Sequence, residues 1–319
     1  MKKNIVIFIL VVVIGAILLY KGESKKMEVI RVADPRAIGW SPFYVALEKG
    51  YFSEQNLDVQ VSVVQTGDES LKAVIGNSAD LALAGIIPYS FTAFDYPEMK
   101  LLAQNAYVHD TQVSVNTERG IHSPEDLKGK KIGYAQTTAS DIGAELFLKK
   151  HNIAEHEVTL VNMKPLAAPA ALAGGEIDAY VGWEPHTSNI KKALGEKFLL
   201  FSNPEDTYTW HASIIAKSEY IGANKDTLTK FVRAWKKAEE FMKNSPREAI
   251  VIVAEYSKLP AESIEQVWFK YNFELGIMPD TLSILETDLA WANTRRNSPV
   301  VHLPSAKDLI SNFMSSYER

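Results

Sequence analysis

The rhythm of apolar and polar positions changes along the chain. Residues 5–19 are apolar without interruption, flanked by Lys2, Lys3, Lys21, Lys25 and Lys26. A run with no polar face, at the start of a chain and preceded by positive charge, has the pattern of an export signal rather than of a buried core helix. Residues 5–20 would form a helix about 24 Å long, slightly short of a bilayer core of about 30 Å but workable with snorkelling lysines. The stretch Ile17-Leu18-Leu19-Tyr20-Lys21-Gly22 offers no small residues in good register for cleavage. Residues 1–26 are therefore expected to stay as a membrane anchor in preference to being removed as a signal peptide. Either way, the remainder is expected outside the cytoplasm.

From Met27 onward, short β-rich runs alternate with helical stretches, which predicts an α/β fold with a mostly parallel sheet. Residues 29–33 read as a strand. Ser41 then suits an N-cap, Pro42 the first helical position and Gly50 the helix end. The same grammar returns about a hundred residues later, with a strand over 131–135, the loop Gln136-Thr137-Thr138 and a helix reaching Lys150. A sharper echo links residues 73–82 with residues 171–180 at a constant offset of 98: an Ala-rich helix ends at Gly, turns through an Asp and enters an apolar strand. Two matches in the same order predict two lobes of like topology.

Two β-rich runs broken by His109-Asp110 mark a first crossing between lobes, and the runs at 198–202 and 209–216 mark a second. Lobe one is assigned residues 27–111 plus 212–319, lobe two residues 112–211, joined by a two-strand hinge. Everything after Ser218 is expected to be helical, over 227–243, 246–258, 261–271, 281–294 and 305–316, and to pack back onto lobe one.

Composition removes many functions. A chain of 319 residues, 46% hydrophobic and 23% charged, is a folded globule rather than a disordered chain. Net charge is −5, but residues 1–26 hold five Lys and one Glu, so the remainder carries 29 basic against 38 acidic side chains. Such a surface is a poor nucleic-acid partner. With no Cys there is no disulfide, thiol nucleophile, iron–sulfur cluster or lipid-modified cysteine. Phosphate-loop, dinucleotide, nucleophile-elbow and zinc-protease motifs are missing from the sequence, and its seven His are scattered. No cofactor is expected. Asp80 and Asp178 sit at turns and are read as capping groups rather than a catalytic pair.

The loops that follow strands carry the chemistry, because open α/β sheets bind ligands beyond the carboxyl ends of their strands. These loops hold Trp40 and Ser41, Ala84 and Gly85, Thr137 and Thr138, and Trp183 and Glu184. Hydroxyls and free N–H groups at a helix start from each lobe would converge on a small anion if the lobes faced one another. Ser41, Thr137 and Thr138 serve equally well as helix caps, and both roles can hold together. Trp183 and Trp210 lie near a strand–helix junction and the second crossing, where they are expected to line the cleft. Trp235, Trp268 and Trp291 fall at helical spacing and are expected in the core, while Lys236, Lys237, Glu239 and Glu240 read as a solvated helix face.

In the stretches 39–52, 75–80, 126–133 and 171–185 the sequence resembles the extracytoplasmic solute-binding proteins of ABC importers, within the nitrate/sulfonate/taurine group and its thiamine-pyrimidine relatives. The resemblance implies a two-lobed periplasmic-binding-protein-like fold of type II that closes on one small solute and hands it to ABC permease subunits without chemistry. It implies ligand contacts at Trp40, Ser41, Ala84, Gly85, Thr137, Thr138, Trp183 and Glu184. The Trp-acid-Pro step at 183–185 looks most like the sulfonate and taurine members. A taurine zwitterion would set its sulfonate at the helix starts and its ammonium near Glu184, against tryptophan faces. Glu184 makes a bare inorganic anion such as nitrate less attractive. Binding of a thiamine-precursor pyrimidine, with Trp40 or Trp183 as a stacking platform, and a membrane-anchored solute sensor are the alternatives. An enzyme is not expected, since no nucleophile–base constellation is visible; the protein is expected to be a monomer.

Overall fold

A computed structural model describes residues 26–109, 111–202 and 208–317. The expected anchor at 1–26 lies, except for Lys26, outside the described residues. Among the described residues no helix is long and apolar enough to cross a membrane.

Among the described residues eleven strands form two sheets. In chain order they are β1 Glu28–Asp34, β2 Leu57–Val63, β3 Leu81–Gly85, β4 Met99–Val108, β5 Gln112–Asn116, β6 Lys131–Tyr134, β7 Thr159–Asn162, β8 Ala179–Gly182, β9 Phe198–Ser202, β10 Trp210–Lys217 and β11 Asn272–Gly276. The six-stranded sheet has the order β11-β4-β10-β3-β1-β2 and the five-stranded sheet β7-β6-β8-β5-β9. In each, the first strand pairs in parallel with the second and third, and an antiparallel strand follows the third. That antiparallel strand is in each case the one entered from the other sheet: β5 follows β4, and β10 follows β9.

The internal echo is repeated in bonds. Asp80 accepts the backbone N–H of Arg31 at 2.8 Å and its guanidinium at 2.6 Å; Asp178 accepts the backbone N–H of Lys131 at 2.9 Å and the guanidinium of Arg119 at 2.7 Å. In both lobes the aspartate N–H returns a bond to the same strand, Arg31 O and Lys131 O, at 2.8 Å. The turn before each aspartate needs a left-handed residue, Asn77 at φ 60° and Gly175 at φ 75°. These carboxylates are structural pins between parallel strands.

Both faces of the six-stranded sheet are buried. Leu81 and Leu83 join one apolar cluster with the helices Ser41–Glu48 and Lys225–Asn244, while Ala82 and Ala84 join another with the helices Gly67–Ile75 and Thr281–Arg295. Alternation along β3 thus serves two layers, as a parallel sheet covered on both sides requires. The five-stranded sheet repeats the plan, with Val181 on one side and Tyr180 on the other.

Four sequence expectations need correction. The C-terminal segment is not purely helical: β11 pairs with β4 and covers its edge, and the run 305–316 is two short turns, Ala306–Leu309 and Phe313–Tyr317, around a bridge from Ile310 to Leu101. Glu239 is buried rather than solvated, because it lies one turn beyond Trp235 on the face of its helix that packs toward β11. Burial pushes its carboxyl up to about 7. Trp235 and Trp268 are core residues, but Trp291 is only half-buried, off the Leu285–Leu289–Ala292 stripe, and sits edge-on to Phe91. Trp210 and His211, assigned to lobe two, open β10 and pair with Val108 and Tyr107 in the six-stranded sheet.

Candidate ligand-binding cleft

One narrow cavity is walled by residues from both sheet units. Pro35, Ala37 and Trp40 follow β1; Gln65, Thr66 and Gly67 follow β2; Gly85 ends β3 and Pro88 follows it. From the other unit come Thr138 and Ala139, after β6, and Trp183, after β8, and Trp210 closes the ring from the start of β10. Every wall except Trp210 hangs from the carboxyl end of a parallel strand, where such sheets bind ligands. The volume is about 40 Å3, room for a few water molecules, so a larger guest requires the walls to part.

Each element is positioned by its own sequence. Trp40 ends a single helical turn, Ile38–Trp40, and is fully buried. Asn105 holds that turn by donating to Gly39 O at 2.6 Å. Asp34, buried at the end of β1, accepts the Arg36 N–H at 2.9 Å and the Tyr44 hydroxyl at 3.0 Å, fixing the loop that carries Pro35 and Ala37. Burial pushes its carboxyl up to about 6. Trp210 meets Trp40 edge-on, with centroids 5.8 Å apart at 74°. The indole fits only because Gly39 and Gly85 lack side chains: a Cβ on either would lie 2.5 Å from a Trp210 ring atom.

Two helix starts face the cavity. Thr66 caps the helix Gly67–Ile75 by accepting the Glu69 N–H, and Glu69 returns the bond by accepting the Gln65 N–H at 2.8 Å. Thr138 caps the helix Ala139–Lys150, accepting the Ser140 N–H and donating to Ala135 O at 2.7 Å. Glu69 also meets Lys164 of the other unit at 3.0 Å. The Gln65 N–H bond, with help from Lys164, holds its carboxyl below the usual range despite partial burial.

Of the nine residues expected in the site, Trp40, Gly85, Thr138, Trp183 and Trp210 line the cavity, and Ser41, Ala84, Thr137 and Glu184 do not. Ser41 is buried and donates to Ile38 O at 2.5 Å, the same internal bond that Thr138 makes. Ala84 packs beneath Gly67, whose added Cβ would lie 3.1 Å from it. Thr137 adopts φ 61° and donates its N–H to Asp141 at 2.9 Å. Glu184 is buried away from the cavity and accepts the Ser188 N–H at 3.2 Å; burial raises its pKa. Trp183 is half-buried, edge-on to His186, whose imidazole burial holds down at about 4 and hence neutral at pH 7.

Sequence reasoning missed Gln65, Thr66 and Gly67. The signal was present as Thr66-Gly67-Asp68-Glu69, a capping pattern after a β run. Among the described residues no Lys, Arg, Asp or Glu lines the cavity. Its polar offerings are the N–H groups of two helix starts, the Trp40 Nε1 donor and the Gln65 Oε1 acceptor. The last two are buried without a hydrogen-bond partner, the condition of groups that await a ligand or water.

The profile of the NMT1/THI5-like family matches residues 38–249. The chain belongs to that family. A Bacillus subtilis (strain 168) relative, named for binding aliphatic sulfonates, is 24% identical over 281 residues, 84% of this chain and 82% of its own. A formylaminopyrimidine-binding protein of Halalkalibacterium halodurans is 23% identical over 244 residues, 72% of this chain and 71% of its own. Among solved structures, the periplasmic aliphatic sulphonate binding protein SsuA from Escherichia coli is similar with a TM-score of 0.75 at 16% identity, over 92% of this chain and 99% of that one. SsuA from Xanthomonas axonopodis pv. citri, bound to MOPS, gives 0.75 at 17% identity over 89% and 99%. This NMT1/THI5-like chain therefore has the two-lobed α/β fold of the periplasmic binding proteins. The desulfurization enzyme DSZB shares that fold, with a TM-score of 0.68 at 12% identity over 91% and 99%, so fold alone does not separate binding from catalysis.

Proposed function

We propose that the protein is the extracytoplasmic solute receptor of an ABC importer, closing on a small organosulfonate without chemistry. The observation that carries the reading is the cavity itself, where helix starts at Gly67 and Ala139, one from each sheet unit, meet under three indoles. A sulfonate has acceptor oxygens and an apolar tail. The helix N-termini and Trp40 Nε1 suit the first, and the indole faces suit the second. An alkanesulfonate fits better than taurine, because Glu184 lies outside the cavity and among the described residues no carboxylate stands ready for an ammonium. A bare nitrate would leave the indoles nothing to cover. The moving lobes are the unit on the six-stranded sheet and the unit on the five-stranded sheet. Residues 1–26 would tether the receptor, which acts as a monomer beside its permease.

A second reading has one observation in its favour. Gln65 Oε1 is an unpartnered buried acceptor, which an alkanesulfonate cannot satisfy and an aminopyrimidine N–H can. Thermal denaturation of the full chain with hexanesulfonate, taurine, nitrate and an aminopyrimidine distinguishes these readings, since a ligand that binds only the folded state raises the midpoint. A rise with hexanesulfonate alone supports the sulfonate receptor. A rise with the aminopyrimidine alone supports the second reading, and none with any of them contradicts both.

A further inference from the structure

Strand alternation that turns Trp210 toward the cleft turns His211 to the other side of the six-stranded sheet. A second cavity lies there, with a volume of about 720 Å3, between the ends of β4 and β10, the strand β11 and the helix Thr281–Arg295. That volume falls within the range of small-molecule sites. Two buried groups, each 2% exposed, stand at its floor: His211 and Asp288. The Asp288 carboxylate accepts the Tyr208 hydroxyl at 3.3 Å. His211 Nδ1 has no hydrogen-bond partner. Glu274 and Asp280 stand exposed at the rim, and among the described residues no Lys or Arg lines the walls.

We infer that this cavity is a second binding site, taking a small organic cation that carries N–H donors, of the primary alkylammonium class. The rim carboxylates of Glu274 and Asp280 attract positive charge. Asp288, which burial pushes up to about 7, is about half ionised at neutral pH and gains charge as a cation enters. Among the described residues no wall cation opposes this. Burial holds the His211 imidazole down at about 4, so at neutral pH it keeps one ring nitrogen as an acceptor for an N–H. The Tyr107 ring, 5.8 Å from the His211 ring at 30°, offers a face to a cation. The carboxylates and imidazoles do not gather into a group of three or more that could hold a metal ion, among the described residues. This favours an organic cation over a bare one. Both passages between the sheets touch the site: His109 lies after β4, Tyr208 and Thr209 lie before β10, and His109 Nδ1 lies 3.3 Å from Tyr208 O. An occupant would therefore rest against the two segments about which the lobes turn.

The test is calorimetric titration of putrescine into the full chain at physiological salt, with tetramethylammonium as a cation that lacks N–H donors. Saturable putrescine binding is expected, weakened on the order of tenfold by Asp288→Asn and about two- to fivefold by the exposed Asp280→Asn, and unchanged by Trp183→Ala in the cleft. Asp280 is exposed, so its variant decides the matter even if the Asp288 variant does not fold. The inference is overturned by an absence of saturable binding, by undiminished binding in Asp280→Asn, by equal binding of tetramethylammonium, or by loss of putrescine binding in Trp183→Ala.

Discussion

The indole of Trp210 occupies the space that a side chain on Gly85 would need, its Nε1 lying 2.5 Å from where that Cβ would sit. Gly85 ends β3 and Trp210 begins β10, so two pieces of chain far apart in sequence make one wall. Replacing Gly85 by Ala is expected to displace the indole. Ligand affinity should fall on the order of tenfold, while the thermal midpoint without ligand falls by only a few degrees, as for an overpacked core position costing about 1–3 kcal/mol. Titration of the variant beside the parent checks this.

Glu145, on the helix Ala139–Lys150, accepts the Trp291 indole N–H and the Arg295 guanidinium, each at 2.8 Å. Both donors belong to the helix packed on the six-stranded sheet, so the contact joins the two halves. Glu145→Ala removes both bonds. The groups are partly exposed, so the loss is discounted to about 1 kcal/mol. That biases the equilibrium toward separated lobes, and affinity is expected to weaken about fivefold. Small-angle scattering should show a larger radius of gyration without ligand, and an unchanged radius and affinity would contradict the assignment of this contact as a latch.

Glu239 supplies a pH prediction. Its carboxyl is raised from 4.5 to about 7 in the folded protein, so between these values the folded state binds more protons than the unfolded state. Stability from this group is therefore present below about pH 4.5 and lost as pH rises through about 7. Glu239→Gln is expected to match the parent near pH 4 and to exceed it by about 1–3 kcal/mol at pH 8. Denaturant unfolding at the two pH values checks the sign.

The pins at Asp80 and Asp178 predict matched energetics. Each binds one strand N–H and one guanidinium. Asp80→Ala and Asp178→Ala should each cost about 2 kcal/mol. The aspartates are remote from the cavity, so neither change should alter ligand specificity. Unfolding curves of the two variants measure this directly.

Such pins also show what the chain discloses in advance. The offset of 98 between Asp80 and Asp178 was legible because a turn demands particular residue types, and the same geometry demands them twice. Strand ends were legible too, and five of the nine residues expected in the site line the candidate cavity. Side-chain rotation was not. Ser41 and Glu184 stand beside the cavity in sequence, yet one hydroxyl is spent on Ile38 O and the carboxylate on Ser188 N–H. Gln65–Gly67 escaped because β2 is an edge strand, exposed toward its end, and its weak apolar signal drew no attention to the loop beyond. β11 escaped because five residues between two helices carry too little alternation to be separated from a turn.

Closure of both halves on an organosulfonate is the central claim. Its most direct measurement is a titration of hexanesulfonate into the full chain, following intrinsic tryptophan fluorescence, with Trp183→Ala alongside. A saturable change in the parent that the variant loses is the predicted result, because three indoles wall the cavity. A flat signal in the parent, or an identical saturable change in the variant, would contradict it.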